Sequence, residues 1–196
     1  MATTNTGTVI WLYGRPCAGK TTIAGFMSEQ LKNQGHQVVT LDGDELRNGM
    51  NADLGFSPED RQENIRRTSE LAKLLASKGK IVICSLVTPS RVLRNVIKNI
   101  VPEANLMLVF VDTSLEACIK RDVKGHYKKA FDGEIENFTG INAPFEGPAE
   151  TDSDLVVHTD NQSIGKSAAA ILKVLNQQIS NLNTQPDEEK NYFMGN

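Results

Sequence analysis

A short glycine-rich stretch with a lysine and two threonines follows the first apolar run of the chain. Gly14, Gly19, Lys20 and Thr21 fit the pattern G-x-x-x-x-G-K-[ST], with a predicted strand before it and a predicted helix after it. Backbone N–H groups at such a helix start converge on phosphate oxygens, the lysine reaches the outer phosphates, and the threonine hydroxyl binds the bridging magnesium ion. We therefore predict that the loop holds a nucleoside triphosphate with Mg²⁺. Its binding residues are Gly14, Cys17, Ala18, Gly19, Lys20, Thr21 and Thr22.

Two residues inside this loop are unusual for a phosphate cradle. Pro16 has no N–H group and therefore donates nothing at its point of the loop. Cys17 is near the positive end of the predicted helix dipole, which favours a thiolate and raises the hypothesis of an oxidation switch. The alternative is that Cys17 is a small residue that fills space.

Two carboxylates stand at the end of the second predicted strand, in the stretch LDGDELRNGMN. In a parallel sheet, carboxylates at this end of a strand face the ligand crevice. Of Asp42 and Asp44, one can orient magnesium-bound water while the other accepts a proton from an attacking hydroxyl. The structural alternative is a turn with capping aspartates. Asp112, which ends the apolar run LMLVFVD, is a competing magnesium candidate.

Cationic and aromatic residues suited to a second substrate follow further along the chain. Arg61 and Asn64 lie within about one helical turn and can bind a phosphate or a sulfate, although a solvated helix face would look the same. The basic, glycine-containing segment 120–142 predicts a mobile lid that keeps water out of the site, with an ordinary loop as the alternative. Phe56 and Phe138 could each stack on a nucleobase.

The apolar pattern predicts strands that alternate with helices. Nearly continuous apolar runs, typical of a parallel sheet covered on both faces, occupy 8–13, 36–42, 80–87, 105–112 and 154–160. Helical periodicity covers 20–34, 58–78 and 162–180. These elements predict an α/β fold: a P-loop kinase-type doubly wound parallel sheet of about five strands, with helices on both faces and a basic lid. We expect a single domain over 1–180 and a flexible tail over 181–196.

Composition narrows the function classes. The net charge of -3 disfavours non-specific nucleic-acid binding. The three cysteines show no zinc-like spacing, and no secretion signal or membrane-spanning run is found, so a cytoplasmic protein is expected. The N-K-x-D motif of switch GTPases and the L-S-G-G-Q signature of transporter ATPases are absent. A small-molecule kinase, without a nucleic-acid or membrane partner, remains.

Three longer stretches carry a resemblance to a known family: LDGDELRNGMNADLGFSPEDRQENIRR, RDVKGHYKKA and GEIENFTGINAPFE. In order and spacing they closely resemble adenylylsulfate kinases, over about residues 8–178. The resemblance implies transfer of the γ-phosphoryl group of MgATP to the ribose 3'-hydroxyl of adenosine 5'-phosphosulfate (APS). The products are ADP and 3'-phosphoadenosine 5'-phosphosulfate (PAPS). It also suggests a homodimer.

The resemblance implies roles for individual residues. Asp44 matches the family's catalytic base, Asp42 matches the aspartate that supports the metal, and Arg121 matches a residue near the ATP base. We add Asn51, from the same stretch as the two aspartates, as an acceptor candidate. The acceptor site then comprises Arg47, Asn51, Phe56, Arg61, Asn64, Lys128, Phe138 and Ile141, with the two phenylalanines on opposite faces of the adenine.

Departures from the family pattern keep other functions open. The family loop usually reads G-L-S-G-[AS]-G-K, with serine and glycine where this chain has Pro16 and Cys17. A serine that can be phosphorylated in some members is Thr88 here, and Ser90 replaces an aromatic residue or histidine. The alternatives are a related kinase with another nucleotide acceptor, such as a cytidine diphosphoramidate kinase, and a non-catalytic homologue.

Overall fold

The computed structural model describes residues 7–149 and 152–184 of the 196-residue chain. Its strands are β1 (Val9–Tyr13), β2 (Val38–Asp42), β3 (Ile81–Ser85), β4 (Leu106–Asp112) and β5 (Leu155–His158). Its helices are α1 (Lys20–Asn33), α2 (Gly43–Arg47), α3 (Pro58–Ala76), α4 (Arg91–Ile100), α5 (Leu115–Lys120), α6 (His126–Phe131) and α7 (Ile164–Thr184). All five predicted strands are present, each within the predicted range.

The strands form one parallel sheet in the order β2-β3-β1-β4-β5. The chain first winds outward from β1 to one edge and then returns across the centre to the other edge, which confirms the doubly wound prediction. All five residues of the central strand β1 are buried. The carboxyl ends of β1 and β2 therefore meet at one edge, where the glycine-rich loop and Asp42 follow them.

Two hydrophobic layers cover the sheet. Ile10 and Leu12 point into a layer formed with α1 and α7, whereas Val9 and Trp11 point into a layer formed with α3 and α4. This division follows from the alternation of side chains along a strand. Because both faces are covered, the strands read as continuous apolar runs.

The helices differ from the predictions in three respects. The chain also forms α2, α4, α5 and α6, so the segment expected as a loop-like lid contains α6, with two of its residues buried. Helix α3 ends at Ala76, two residues before the predicted end. Helix α7 continues to Thr184, four residues beyond the predicted end at residue 180; no proline interrupts the helix before Pro186. The rest of the predicted tail, 185–196, lies outside the described residues.

Among the described residues, no helix combines the length and the apolar character that a membrane crossing requires.

Candidate active site

The glycine-rich loop wraps around the side chain of Lys20. Lys20 Nζ donates hydrogen bonds to the carbonyl oxygens of Gly14 (3.1 Å) and Arg15 (2.7 Å), and the residue is only 8% exposed. Burial lowers the pKa of Lys20 to about 8. A bound anion would offset the cost of burying the Lys20 ammonium group. The loop therefore suits a ligand with several negative charges.

Two glycines of this loop are required by the backbone. Gly14 has φ 152°, and a Cβ atom there would lie 2.5 Å from the Val111 carbonyl oxygen. Gly19 has φ 98° and immediately precedes α1, so its left-handed backbone turns the chain into the helix. The N–H groups at the start of α1 are thereby directed into the loop.

A cleft of about 220 Å³ opens beside the loop, at the amino end of α1. It is lined by Ala18, Gly19, Thr22, Ile23, Arg121, Thr159, Gln162, Ile164 and Ser167. Arg121 is held in place by hydrogen bonds from its guanidinium to the hydroxyl (3.0 Å) and the carbonyl oxygen (2.6 Å) of Thr159. An apolar floor with one fixed cation suits a nucleobase. The structure thus brings Ala18, Thr22 and Arg121 together, as predicted for the nucleotide.

Asp42 connects the loop to the second predicted carboxylate. One oxygen of Asp42 accepts a hydrogen bond from the Thr21 hydroxyl (2.7 Å), and the other accepts from the Asp44 backbone N–H (2.9 Å). Asp42 is thus the N-cap of α2, as the structural alternative predicted. It also lies beside the phosphate loop, through its contact with Thr21.

Thr21 and Asp42 also fit magnesium. Both offer hard oxygen atoms beside the loop, and Mg²⁺ usually takes one or two protein oxygens and completes its shell with phosphates and water. No group of three or more His, Cys, Asp or Glu side chains among residues 7–149 and 152–184 could hold a metal. The competing candidate Asp112 pairs instead with His158, with Oδ2 3.0 Å from Nδ1.

A lid lysine covers the proposed base. Lys124 Nζ lies 2.5 Å from Asp44 Oδ2, and both side chains are largely exposed. The hydrogen bond to Asp44 raises the pKa of Lys124. From sequence, Lys124 is only one residue of the basic segment 120–142, and its contact with Asp44 joins residues 80 positions apart.

The predicted acceptor arginines converge on Phe56. The Arg47 guanidinium carbon lies 4.3 Å from the ring centroid of Phe56, and that of Arg61 lies 5.6 Å away. Burial lowers the pKa of both arginines, and the charge of Arg47 lowers that of Arg61 further. Two partly buried cations that repel each other make a site that favours an anion.

Arg61 also contacts the segment that carries Phe138. Its guanidinium donates to the Thr139 hydroxyl (3.2 Å) and the Asn137 carbonyl oxygen (2.5 Å). Phe138 packs edge-on against Tyr127, with centroids 4.9 Å apart. Arg61 therefore contacts both the Phe56 ring and the two residues on either side of Phe138. Ile141 is half-buried in the same turn.

Asn51 and Asn64 form a buried pair. Asn51 Nδ2 donates to Asn64 Oδ1 at 2.9 Å, and the two residues are 0% and 6% exposed. Asn51 therefore braces Asn64, a contact that the sequence did not indicate. Lys128 is exposed on α6, and its backbone N–H contacts Asp122 (3.3 Å).

The lid helix α6 docks on the glycine-rich loop. The hydroxyl of the buried Tyr127 donates to the Pro16 carbonyl oxygen at 3.0 Å. Asp122 accepts from the backbone N–H groups of His126 (2.9 Å) and Tyr127 (2.8 Å), which fixes the start of α6. This contact gives Pro16 a role as an acceptor, and the sequence offered no signal for it.

The surroundings of Cys17 do not favour a thiolate. Burial, and then the nearby charge of Asp122, raise the pKa of the Cys17 thiol. This direction agrees with the space-filling interpretation rather than with the oxidation switch.

The two departures after β3 have structural roles. Thr88 is only 2% exposed, and its hydroxyl accepts a hydrogen bond from Trp11 Nε1 at 3.0 Å. Phosphorylation of Thr88 would therefore require local opening. Ser90 is the N-cap of α4, with its hydroxyl accepting from the Leu93 N–H (3.4 Å).

Comparisons with known proteins agree with this geometry. A family model described as adenylylsulphate kinase matches residues 6–158. An adenylyl-sulfate kinase of Vibrio vulnificus (strain YJ016) is 49% identical over 147 residues, which cover 75% of this chain and 71% of the relative. One of Halothermothrix orenii is 44% identical over 171 residues, covering 87% and 90%. The solved Mycobacterium tuberculosis APS kinase in complex with AMPPNP and APS superimposes with a TM-score of 0.82 at 37% identity, covering 87% of this chain and 98% of that one.

Proposed function

Because the chain belongs to the adenylylsulfate kinase family, we propose that it is an adenylyl-sulfate kinase, which transfers the γ-phosphoryl group of ATP to the ribose 3'-hydroxyl of APS. The products are ADP and PAPS. The observation that carries this proposal is the path of contacts from the triphosphate loop through Thr21 and Asp42 to Asp44. It ties a phosphate cradle to a carboxylate that can act as a base.

In the proposed reaction, the 3'-hydroxyl oxygen of APS forms a bond to the γ-phosphorus as its proton passes to Asp44. The bond between the γ-phosphorus and the β,γ-bridging oxygen breaks, and ADP leaves with that oxygen. Lys20 holds the phosphates throughout and stabilises the charge that develops on them. Asp44 must first be released from Lys124, and the incoming phosphates offer that lysine a stronger anionic partner.

Magnesium is proposed as the metal of this reaction. Thr21 and Asp42 would hold it, directly or through water. When bound, it neutralises charge on the phosphate oxygens. Asp42 serves this purpose in addition to capping α2, which keeps Asp44 at the start of the helix.

The adenine of the acceptor is proposed to lie between Phe56 and Phe138. Arg47 and Arg61 would bind the same acceptor. Support comes from the shared contacts of Arg61 with the Phe56 ring and with the residues on either side of Phe138. Asn64, braced by Asn51, offers an amide at the edge of this site. Lys128 and Ile141 complete the proposed pocket.

A coupled ADP-release assay tests the function. ATP is supplied with APS, with cytidine diphosphate-type acceptors, or with water alone, and PAPS is identified among the products. We expect turnover with APS far above the rate with water. Turnover only with a cytidine acceptor, or nucleotide binding without turnover, would reject the proposal.

We also propose a homodimer, as the family resemblance suggests. One structural relative, from Thiobacillus denitrificans, is described as hexameric. Size-exclusion chromatography with light scattering gives the mass in solution. A mass near 21.5 kDa would show a monomer and reject the dimer.

A further inference from the structure

Arg15 belongs to the triphosphate loop by its backbone and to a different segment by its side chain. Its carbonyl oxygen accepts the shorter of the two hydrogen bonds from Lys20 Nζ, at 2.7 Å. Its guanidinium runs to the other side and reaches the Thr113 carbonyl oxygen at 3.4 Å. One residue therefore links the lysine of the phosphate cradle to the protein beyond it.

The segment that Arg15 contacts is residues 137–145, here named the acceptor turn. The Arg15 guanidinium carbon lies 4.7 Å from the ring centroid of Phe145. A Cβ atom placed on Gly140 would lie 3.9 Å from Arg15 Nε, so the side chain passes directly over that glycine. The same turn holds Phe138 and receives Arg61 from α3.

Hydrogen bonds within the acceptor turn hold its backbone together. Gly140 N–H donates to the Ala143 carbonyl oxygen at 2.7 Å, and the N–H groups of Ile141 and Asn142 both donate to the Phe138 carbonyl oxygen at 3.2 Å. Contacts from outside set the position of the turn: Phe138 packs on Tyr127, Phe145 stacks on Phe110, and Arg61 bonds to the turn from α3. Arg15 adds the phosphate loop to this set of contacts.

The Arg15 guanidinium does not use its full hydrogen-bonding capacity. Its Nε atom is buried and has no hydrogen-bond partner among the described residues. A cleft of about 390 Å³ lies next to it, lined by Arg15 and residues 140–145. The guanidinium therefore has room to adjust when either the loop or the turn is ordered by a ligand.

We propose that Arg15 is a positioning residue that couples the phosphate cradle to the acceptor turn, so that a nucleotide bound in one site raises the affinity of the other. Phosphates on Lys20 fix the Arg15 backbone, and the fixed side chain then holds the turn that carries Phe138. A second ligand meets a turn that is already ordered and loses less conformational entropy on binding. The inference rests on the proposed function, because ATP and APS are its two ligands.

Coupling of this kind must be reciprocal, and binding measurements test it directly. The dissociation constant of the non-hydrolysable analogue AMPPNP is measured without and with saturating APS, and that of APS without and with saturating AMPPNP. For the wild-type protein we expect the same factor both ways, about five-fold or more. For Arg15→Met, which keeps the aliphatic stem, we expect a factor close to one, while AMPPNP alone binds within a few-fold of wild type. Arg15→Lys, which lacks the planar fork, should recover only part of the factor.

Two further variants separate coupling from stability. Arg66→Met removes an exposed arginine that pairs with Glu63 on the same helix, and it should keep the wild-type factor. Phe145→Leu removes the ring from the other side of the contact and should lose the factor, with no additional loss in the Arg15→Met double variant. If Arg15→Met does not fold, Phe145→Leu alone decides the question.

The outcomes distinguish the two proposals. APS that binds the wild-type protein without any mutual effect, or a wild-type factor retained in both Arg15→Met and Phe145→Leu, rejects the role of Arg15 alone. Failure of APS to bind the wild-type protein at all rejects the proposed function, and this inference with it.

Discussion

Asp44 is the residue on which the proposed chemistry depends most directly. It is exposed, it opens α2, and its carboxylate is paired with Lys124. Its backbone N–H, rather than its side chain, makes the contact with Asp42. A substitution of the carboxylate therefore removes the proposed base and leaves the capping of α2 in place.

We expect Asp44→Asn to lower kcat by a factor on the order of 10² to 10⁴, the usual contribution of a positioned base. The dissociation constant of AMPPNP should stay within a few-fold of wild type, because Lys20 and Thr21 are untouched. Steady-state kinetics and calorimetry check the two quantities. Glu45→Gln, the neighbouring exposed carboxylate, is the matched control and should keep full turnover. Undiminished turnover in Asp44→Asn would remove this residue as the base.

The lowered pKa of Lys20 predicts that triphosphate binding is coupled to proton uptake at alkaline pH. Burial lowers its pKa to about 8, so the free protein loses this proton as the pH rises through 8. Triphosphate binding favours the charged form and should take up a proton from buffer above that pH. Calorimetry of AMPPNP binding at pH 8.5, in two buffers of different ionisation enthalpy, should show a buffer-dependent heat that corresponds to proton uptake. Equal heats in both buffers at pH 8.5 would contradict the lowered pKa.

The same shift has a consequence for folding. The unfolded chain keeps the Lys20 proton up to the ordinary value of 10.5, whereas the folded protein releases it near 8. Between these values the unfolded state binds more protons, so this residue makes the free energy of unfolding rise with pH in that window. Below pH 8 Lys20 is protonated in both the folded and the unfolded state, and its buried charge destabilises the folded state.

At the level of elements, the start of α3 sets the position of Arg61. The Ser57 hydroxyl accepts from the Asp60 N–H (3.1 Å) and donates to the Asp60 carboxylate (2.8 Å), while the Arg61 N–H bonds to the Ser57 carbonyl oxygen at 2.9 Å. The cap that starts the helix therefore also fixes Arg61, the first predicted acceptor residue on α3.

We expect Ser57→Ala to lower the free energy of unfolding by about 1 kcal/mol. For a chain of this size the melting temperature falls by roughly 2–4 °C. The KM for APS should rise more than the KM for ATP, since Arg61 is displaced and Lys20 is not. Ser77→Ala, at the other end of α3, loses only an exposed bond to the Leu74 carbonyl oxygen and should change the melting temperature little. Equal effects of the two variants would refute the special role of the cap.

Elements differ in how much of them could be predicted from sequence. The strands could be, because a parallel sheet covered on both faces requires continuous apolar runs. Helix α2 could not, because five residues are too few for a helical period, and its start is set by the Asp42 cap. Helix α4 lies outside the predicted helices although Leu93, Ile97 and Ile100 recur at helical spacing after the Ser90 cap; what this pattern does not predict is the burial of Arg94.

The site shows the same limit. Motif residues such as Lys20 and Thr21 are recognisable because their spacing is local and obligatory. The contact between Lys124 and Asp44 and the one between Tyr127 and Pro16 join residues 80 and 111 positions apart. No local pattern encodes such a pair, since it exists only once the fold has brought the lid over the loop.

At the scale of the whole molecule, one buried arginine contributes three of the contacts that fasten residues 146–147 and Asp152 to the α3–α4 side of the sheet. Arg94 is 1% exposed, and its guanidinium bonds to the Glu146 carbonyl oxygen (3.0 Å), the Gly147 carbonyl oxygen (3.4 Å) and the Asp152 carboxylate (3.2 Å). Its carbon lies 5.2 Å from the Tyr13 ring centroid. This region precedes β5 and adjoins Phe145, so its anchorage bears on both the sheet edge and the acceptor turn.

Removal of this anchor should destabilise the entire domain, because it leaves the Glu146 and Gly147 carbonyl oxygens without their partner and takes the buried cation away from Asp152. We expect Arg94→Met to lower the free energy of unfolding by about 3 kcal/mol, measured as a shift of the urea midpoint. Arg91→Met is the matched control: Arg91 also pairs with Asp152, at 3.3 Å, but its side chain is 52% exposed. Its loss should cost no more than about 1 kcal/mol, because solvent already screens that pair. If both variants unfolded at the same urea concentration, burial of Arg94 would not be what fastens this region to the sheet.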